Sequence, residues 1–405
     1  MSCIVDLFKL GFLIVNQIDH SKELRQQRNK VIFAGICSMI LTVGIARFAY
    51  TPLLPLMLEE TTLTKLFGGW LATFNYIGYL AGALLAASLK ELSVKFYLYR
   101  LYLLFAAITT YATGLTENQL LWTILRFISG VSSTAGLLLA SGLVINWLRA
   151  NNFKPQLGVH FIGMGVGIVF TGLITALLAD TLLWDAQWQY LGLFGCIFLI
   201  PAWFWMPYPE KFVQNSSSAV EQPSSRFMKL FIATYFCAGV GYVISATFIV
   251  DILEKTPQLE GKGGWVWVIV GISAAPSAIL WDKIASRIGQ IQALQLAYLI
   301  EIISFVLPLI TENSTFSFIA SIFWGATFGG IVSLTLAIVG RAFPANPAKA
   351  MAKLTISFGV AQIVAPIFAG YIADATGTYL WALIIATLVM LAGMLFLHKI
   401  GYEVK

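Results

Sequence analysis

About twelve stretches of roughly 20 mostly apolar residues follow one another along this chain of 405 residues, and about 20 is the number a helix needs to cross the hydrocarbon of a bilayer. They run 31–58, 66–89, 95–114, 120–148, 157–179 and 188–206, then 227–253, 265–281, 291–310, 316–343, 350–373 and 379–398. None alternates polar and apolar residues over ten positions, as a barrel strand would, so each is expected to be a helix. Hydrophobic residues make up 59% of the chain and charged residues 11%, with a mean hydropathy of +0.82. A soluble domain carries about 25% charged residues. The composition therefore excludes a soluble enzyme, a disordered chain and a nucleic-acid-binding domain, and makes the lipid bilayer the expected partner.

The net charge of +6 is a statement about topology. Lys and Arg stay on the cytoplasmic side of a membrane. With the N-terminus inside, Lys90, Lys95, Arg100, Arg149, Lys154, Arg226, Lys229, Lys283, Arg287, Arg341, Lys349 and Lys399 all become cytoplasmic. Only Lys65, Lys255 and Lys262 then fall outside. Both termini are expected inside, in a multi-pass protein of a bacterial inner membrane. Cys3, Cys37, Cys196 and Cys237 form no CxxC pair, so small apolar packing is expected of them rather than metal or disulfide chemistry. No metal site and no cofactor is expected.

Residues 1–30 read as a cytoplasmic segment whose apolar stretch Ile4 to Ile18 is interrupted by Asp6 and Lys9. It suits an amphipathic element lying on the inner leaflet, or a start codon chosen too early. The most polar connection, 207–226, is rich in Ser, Gln and Pro and reads as a cytoplasmic linker. It separates a bundle over 31–206 from one over 227–399, leaving a short tail at 400–405. The two parts resemble each other. Gly68-Gly69-Trp70 opens the second helix and Gly263-Gly264-Trp265 the eighth, while Arg126 to Gly130 matches Ser321 to Gly325 at the same offset. Duplicated units of this kind place a binding site near the bilayer midplane, between the repeats.

The first helix reads GIARFAYTPLLPLM over 44–57, the fifth GVHFIGMGVGIVFTG over 158–172 and the seventh GVGYVISATF over 239–248. The eighth closes on LWDKIASRIG (280–289), and the eleventh contains FGVAQIVAPIFAG (358–370). This set resembles the YbfB/YjiJ-type branch of the major facilitator superfamily across essentially the whole membrane region. The resemblance implies an all-α fold of twelve transmembrane helices in two six-helix bundles. It also implies secondary transport by alternating access, driven by protons. The superfamily's acidic loop between helices two and three is not matched, since GALLAASLKELSVKF lacks an Asp, whereas the corresponding loop after helix eight keeps Asp282 and Arg287 as candidate gating residues. Helix eleven carries Ala365 before Pro366 where this branch would have Gly-Pro.

Charge inside a bilayer costs at least about 2.5–3.5 kcal/mol per residue, which singles out Arg47, Arg126 and Glu301. Arg47 has two readings: a forked anion contact, or a lock tied to backbone carbonyls. Arg126, in an Arg-x-x-x-Gly string like the superfamily's helix-four motif, is expected to take part in binding or coupling, the alternative being snorkelling to the surface. Glu301 is the candidate proton site, or else a carboxyl paired with a neighbouring helix. Tyr50, Asn75, Tyr76, Tyr242, Thr247 and Gln362 complete the candidate substrate or coupling set, although such side chains more often bond neighbouring helices. Thr51, Ser245 and His160 are further polar candidates. Gly163, Gly165, Gly167 and Gly172 in helix five suit a sliding contact between halves or static packing, and Pro52, Pro55, Pro276 and Pro366 are candidate bends.

There is no GxxxxGK[ST] loop for ATP and no clustered HExxH, Asp-Asp or Ser-Lys set, so an enzyme is not expected. The expectation is a monomeric secondary transporter of a small molecule, with proton-coupled efflux of amphipathic compounds as the first reading. Transport of a small organic anion, in either direction, is the second, because the buried charges of the first half are both Arg. A non-transporting receptor or scaffold is the rival of another class.

Overall fold

The computed structural model describes residues 22–154, 157–209, 225–254, 258–343 and 347–403. The apolar element at 4–18, most of the linker and Lys255 lie outside the described residues. Twelve helices follow the twelve apolar runs, and among the described residues ten of them, or eleven with the bent α8, are long and apolar enough to cross a membrane. They are α1 (Lys22–Glu60), α2 (Lys65–Ser88), α3 (Leu92–Thr113), α4 (Gln119–Ala150), α5 (Leu157–Leu178) and α6 (Trp184–Phe204). After the linker come α7 (Ser225–Glu254), α8 (Gly263–Ala274 continued by Ser277–Ile288), α9 (Gln290–Ile310), α10 (Ser314–Ala342), α11 (Pro347–Thr376) and α12 (Leu380–Glu403). No strand occurs among the described residues. α6 begins four residues earlier than hydropathy suggests, because its first turns carry Asp185 and Gln187.

Local chemistry sets the ends. Thr64 accepts from the Phe67 amide at the start of α2, Asn118 from the Leu120 and Leu121 amides at the start of α4, and Asn313 from the Thr315 amide at the start of α10. Each cap satisfies amides that a helix start leaves open. Pro276 lies where α8 bends by 42°. Pro366, by contrast, sits inside an unbroken α11.

The internal repeat is atomic as well as sequential. One offset, 195 residues, separates Gly68 from Gly263, Asn75 from Val270 and Gly130 from Gly325. A Cβ on Gly130 would run into the Asn75 carbonyl, joining α4 to α2; a Cβ on Gly325 would sit 2.5 Å from the Val270 carbonyl, joining α10 to α8. The same backbone contact therefore recurs in each set of six helices.

The second glycine of each pair in the repeat faces the other bundle, while Gly68 packs on Leu54 and Gly263 on Val250 within its own. A Cβ on Gly69 would meet the Pro366 carbonyl of α11, and one on Gly264 the Ala176 amide of α5 at 2.5 Å. Only a residue without a Cβ allows backbones this near. Trp70 and Trp265, next in each motif, are exposed on the outer surface of the bundle, as tryptophans are at a membrane interface. Further along the seams, Thr73 donates to the Ile363 carbonyl at 2.8 Å, Lys65 Nζ to the Gly377 carbonyl at 2.6 Å, and Thr51 to the Ala246 carbonyl. These contacts gather toward the end of the bundle at which α1 stops and α2 starts. Toward the other end Gly158 of α5 faces Ile279 of α8, whose Cγ1 an added Cβ would meet at 3.2 Å.

The glycines of α5 divide between two tasks. Gly165 and Gly172 face Ala275 and Val268 of α8, across the seam, whereas Gly163 and Gly167 pack on Ile36 and Gly44 of α1 within the first bundle.

Candidate functional site

Pro52 shapes the middle of α1. It has no N–H to offer the carbonyl of Phe48, and its ring crowds that carbonyl. The Thr51 amide takes the Phe48 carbonyl instead, at 3.2 Å. Upstream, residues 40–45 widen into a π-helical turn and 46–49 into a turn. Such breaks in the ladder are often found where a helix carries function. Here the break turns the Ala46 carbonyl sideways, and it accepts from Ser129 Oγ at 2.7 Å and from Arg126 Nη1 at 3.3 Å, both on α4. Arg47 is the next residue.

Both arginines are buried, at 5% and 4% exposure, and they differ in what holds them. The Arg126 guanidinium lies 4.3 Å from the centre of the Tyr50 ring, whose hydroxyl donates to the Gly68 carbonyl at 2.8 Å. Asn75 Nδ2 donates to the Arg126 carbonyl at 3.0 Å. Arg126 is thus part of a knot joining α1, α2 and α4. The Arg47 guanidinium rests instead on aromatic faces, 4.6 Å from the centre of Tyr76, 4.8 Å from Tyr79 and 5.8 Å from Phe48. Tyr242, from α7, also lies within its electrostatic range. Cation–π contacts of this kind hold a guanidinium without neutralising it.

Among the described residues, no carboxylate is within ion-pair distance of either guanidinium; their charged and polar neighbours are Tyr50, Tyr76, Tyr79, Tyr242 and each other. Nε of Arg47 and Nε of Arg126 are both buried without a protein partner. Two cations in one buried cluster, with no counter-charge among the described residues, make a place that would accept an anion.

The wall facing Arg47 is aromatic. Tyr242 lies 6.2 Å from Trp324 and 5.6 Å from Phe328 of α10, and 5.5 Å from Phe358 of α11 (centre to centre). Trp324 stacks on Trp267 of α8 at 6.1 Å, and Trp267 meets Phe48 edge-on at 6.0 Å. Of the candidates from sequence, Arg47, Tyr50, Asn75, Tyr76, Arg126 and Tyr242 come together here. Thr247 and Gln362 are buried in α7 and α11, and no contact ties either to the arginines among the described residues. Glu301 is fully buried in α9 against Thr327 of α10, with Oε2 unpartnered. Asp282 and Arg287 are exposed on the second segment of α8. His160 joins the π-helical turn of α4 at the Gly136 carbonyl, 3.0 Å away.

Sequence reasoning missed Tyr79, Trp267, Trp324 and Phe358. Tyr79 stands three residues from Tyr76, the spacing that puts both on one helix face, and that was the available signal.

Comparison with known proteins agrees with this architecture. The family described as "Uncharacterised MFS-type transporter YbfB" matches residues 39–397. Among curated proteins, none matches the chain. Solved structures with the same fold include a point mutant of the nucleoside transporter NupG, at 13% identity and a TM-score of 0.74 over 92% of this chain and 99% of that one. A bacterial homologue of the human lysosomal transporter Spinster, inward-facing and unoccupied, follows at 17% identity and a TM-score of 0.62, over 92% of this chain and 95% of that one. At such identities the likeness is one of fold alone. The family match, covering nearly the whole helical region, decides membership: the chain belongs to the YbfB-type family of major facilitator superfamily transporters.

Proposed function

We propose that this transporter carries a small organic anion, bound between Arg47 and the aromatic wall around Tyr242, by alternating access between bundles 31–206 and 227–399. The observation that carries the reading is the pair of buried guanidiniums with no carboxylate beside them. Export of amphipathic compounds, the first expectation from sequence, would use the aromatic wall but leave both charges unanswered. A fork of guanidinium donors suits a carboxylate or phosphate. Seam contacts run along the bundle, from Lys65 and Gly377 at one end to Gly158 against Ile279 at the other. The charge distribution favours a bacterial inner membrane with both termini inside. A proton gradient is the proposed drive, with Glu301 the buried acid to carry it.

Ligand-dependent thermal stabilisation of the purified protein tests the reading. A ligand at a hundred times its Kd that binds only the folded state adds about 2.7 kcal/mol. Carboxylates are expected to raise the Tm of the wild type and to lose that effect in Arg47→Ala. Stabilisation of both proteins alike by cationic amphiphiles, with none by carboxylates, would assign Arg47 to structure and return the site to amphipath export.

A further inference from the structure

Five residues of the site close into a circuit. Arg47 lies 5.8 Å from the Phe48 ring, Phe48 6.0 Å from Trp267, Trp267 6.1 Å from Trp324 and Trp324 6.2 Å from Tyr242, which returns to the electrostatic range of Arg47. The circuit is drawn from α1, α8, α10 and α7. Three of its polar atoms are buried without a partner: Arg47 Nε, Trp267 Nε1 and Trp324 Nε1. Trp267 and Trp324 are completely buried. All three orphaned groups are donors. A buried donor normally finds an acceptor, in the protein or in something bound to it.

The internal repeat gives this arrangement a direction. The offset that pairs Gly68 with Gly263 also pairs Arg47 with Tyr242 and Ser129 with Trp324. At equivalent places the first bundle supplies a guanidinium and a hydroxyl, and the second supplies a phenol and an indole. A molecule bound across the junction would meet positive charge on one side, and aromatic faces bearing N–H donors on the other.

We infer that the transported anion is an aromatic monocarboxylate whose ring carries a second hydrogen-bond acceptor, the carboxylate on Arg47 and the ring among Tyr242 and Trp324 with its acceptor on an indole N–H. This inference rests on the anion reading above and sharpens it. Offset stacking on Tyr242 and Trp324 favours a flat ring over a saturated one. The indole donors favour a ring with an acceptor over one without.

Three probes of similar size separate these terms: nicotinate, benzoate and cyclohexanecarboxylate. Their Kd values are measured by calorimetry on the full-length protein in detergent. Nicotinate is expected to bind roughly fivefold tighter than benzoate, the effect of about one net hydrogen bond, and benzoate tighter than cyclohexanecarboxylate. Trp324→Phe keeps a ring for stacking and removes the donor, so it should abolish the preference for nicotinate and preserve that for benzoate over the saturated acid. Trp267→Phe removes the other indole donor and is measured beside it; a preference for nicotinate kept in both variants would overturn the second acceptor, and the wild-type ranking needs no variant. Equal binding of all three acids would overturn the inference and leave the anion reading standing. Equal binding of nicotinate and benzoate, both above cyclohexanecarboxylate, would overturn the second acceptor. Binding of no carboxylate, with binding of a cationic amphiphile such as tetraphenylphosphonium, would overturn both readings.

Discussion

Arg47 and Tyr242 stand at equivalent positions of the two repeats, 195 residues apart in sequence, and within electrostatic range of each other in space. The repeat thus puts a cation at one of these positions and an aromatic at the other. An amphipathic anion, as proposed above, would use both.

Close backbone packing predicts which glycines cannot gain a methyl. Gly130→Ala and Gly325→Ala would press a Cβ on the carbonyls of Asn75 and Val270, and overpacking of this kind costs about 1–3 kcal/mol. Both should lower the Tm measured by differential scanning fluorimetry. Gly142→Ala, with open space at its Cβ, should not, and a helix there gains about 0.5–1 kcal/mol from Ala over Gly.

The Ala46 carbonyl predicts a graded effect at α4. Ser129→Ala removes one donor from it, and Arg126→Gln removes the charged one together with its seat on Tyr50. A net loss of about 0.5–1.5 kcal/mol is expected for the first. For the second, loss of a charged donor, about 1.5–3 kcal/mol, is set against relief of a buried charge that no carboxylate answers, at least about 2.5–3.5 kcal/mol, so Arg126→Gln should cost less than Ser129→Ala. Unfolding in the same detergent measures both.

The contact between Thr51 and the Ala246 carbonyl ties α1 to α7 across the bundles. Thr51→Val keeps the shape and removes the donor, so it should cost about 0.5–1.5 kcal/mol of stability and change the counterflow rate in proteoliposomes. An unchanged rate would show that the contact takes no part in the cycle.

Orientation is open to labelling. Lys90→Cys and Glu117→Cys, both at positions outside the helices and at opposite ends of α3, should react differently with an impermeant thiol reagent in a cysteine-free background. Glu117→Cys is expected to react in intact cells and Lys90→Cys only after the membrane is opened, if the proposed orientation with basic residues inside holds.

Much of this was legible from the residues. Apolar runs gave the spans because lipid tolerates little else, and Pro276 marked the bend in α8 because an imino nitrogen cannot donate. The Gly-Gly-Trp strings showed the repeat, and the second glycine of each lies at the seam, where a Cβ would meet the backbone of the other bundle. Arg47 and Arg126 were conspicuous for their cost in lipid. The aromatic wall was not legible. Trp267, Trp324 and Phe358 sit in helices where apolar residues face every direction, so no periodicity tells a ring that meets the site from one that meets lipid. The released Ala46 carbonyl was also hidden, since Pro52 announces a disturbance without saying which carbonyl turns out or toward which partner.

The central claim is that Arg47 binds the anion that is moved, and counterflow in proteoliposomes tests it most directly. Vesicles preloaded with unlabelled nicotinate and holding the wild type should accumulate labelled nicotinate transiently from outside, while vesicles holding Arg47→Ala, folded by the same Tm criterion, should not. Accumulation by Arg47→Ala at the wild-type rate, or exchange of a cationic amphiphile and of no carboxylate by the wild type, would contradict it.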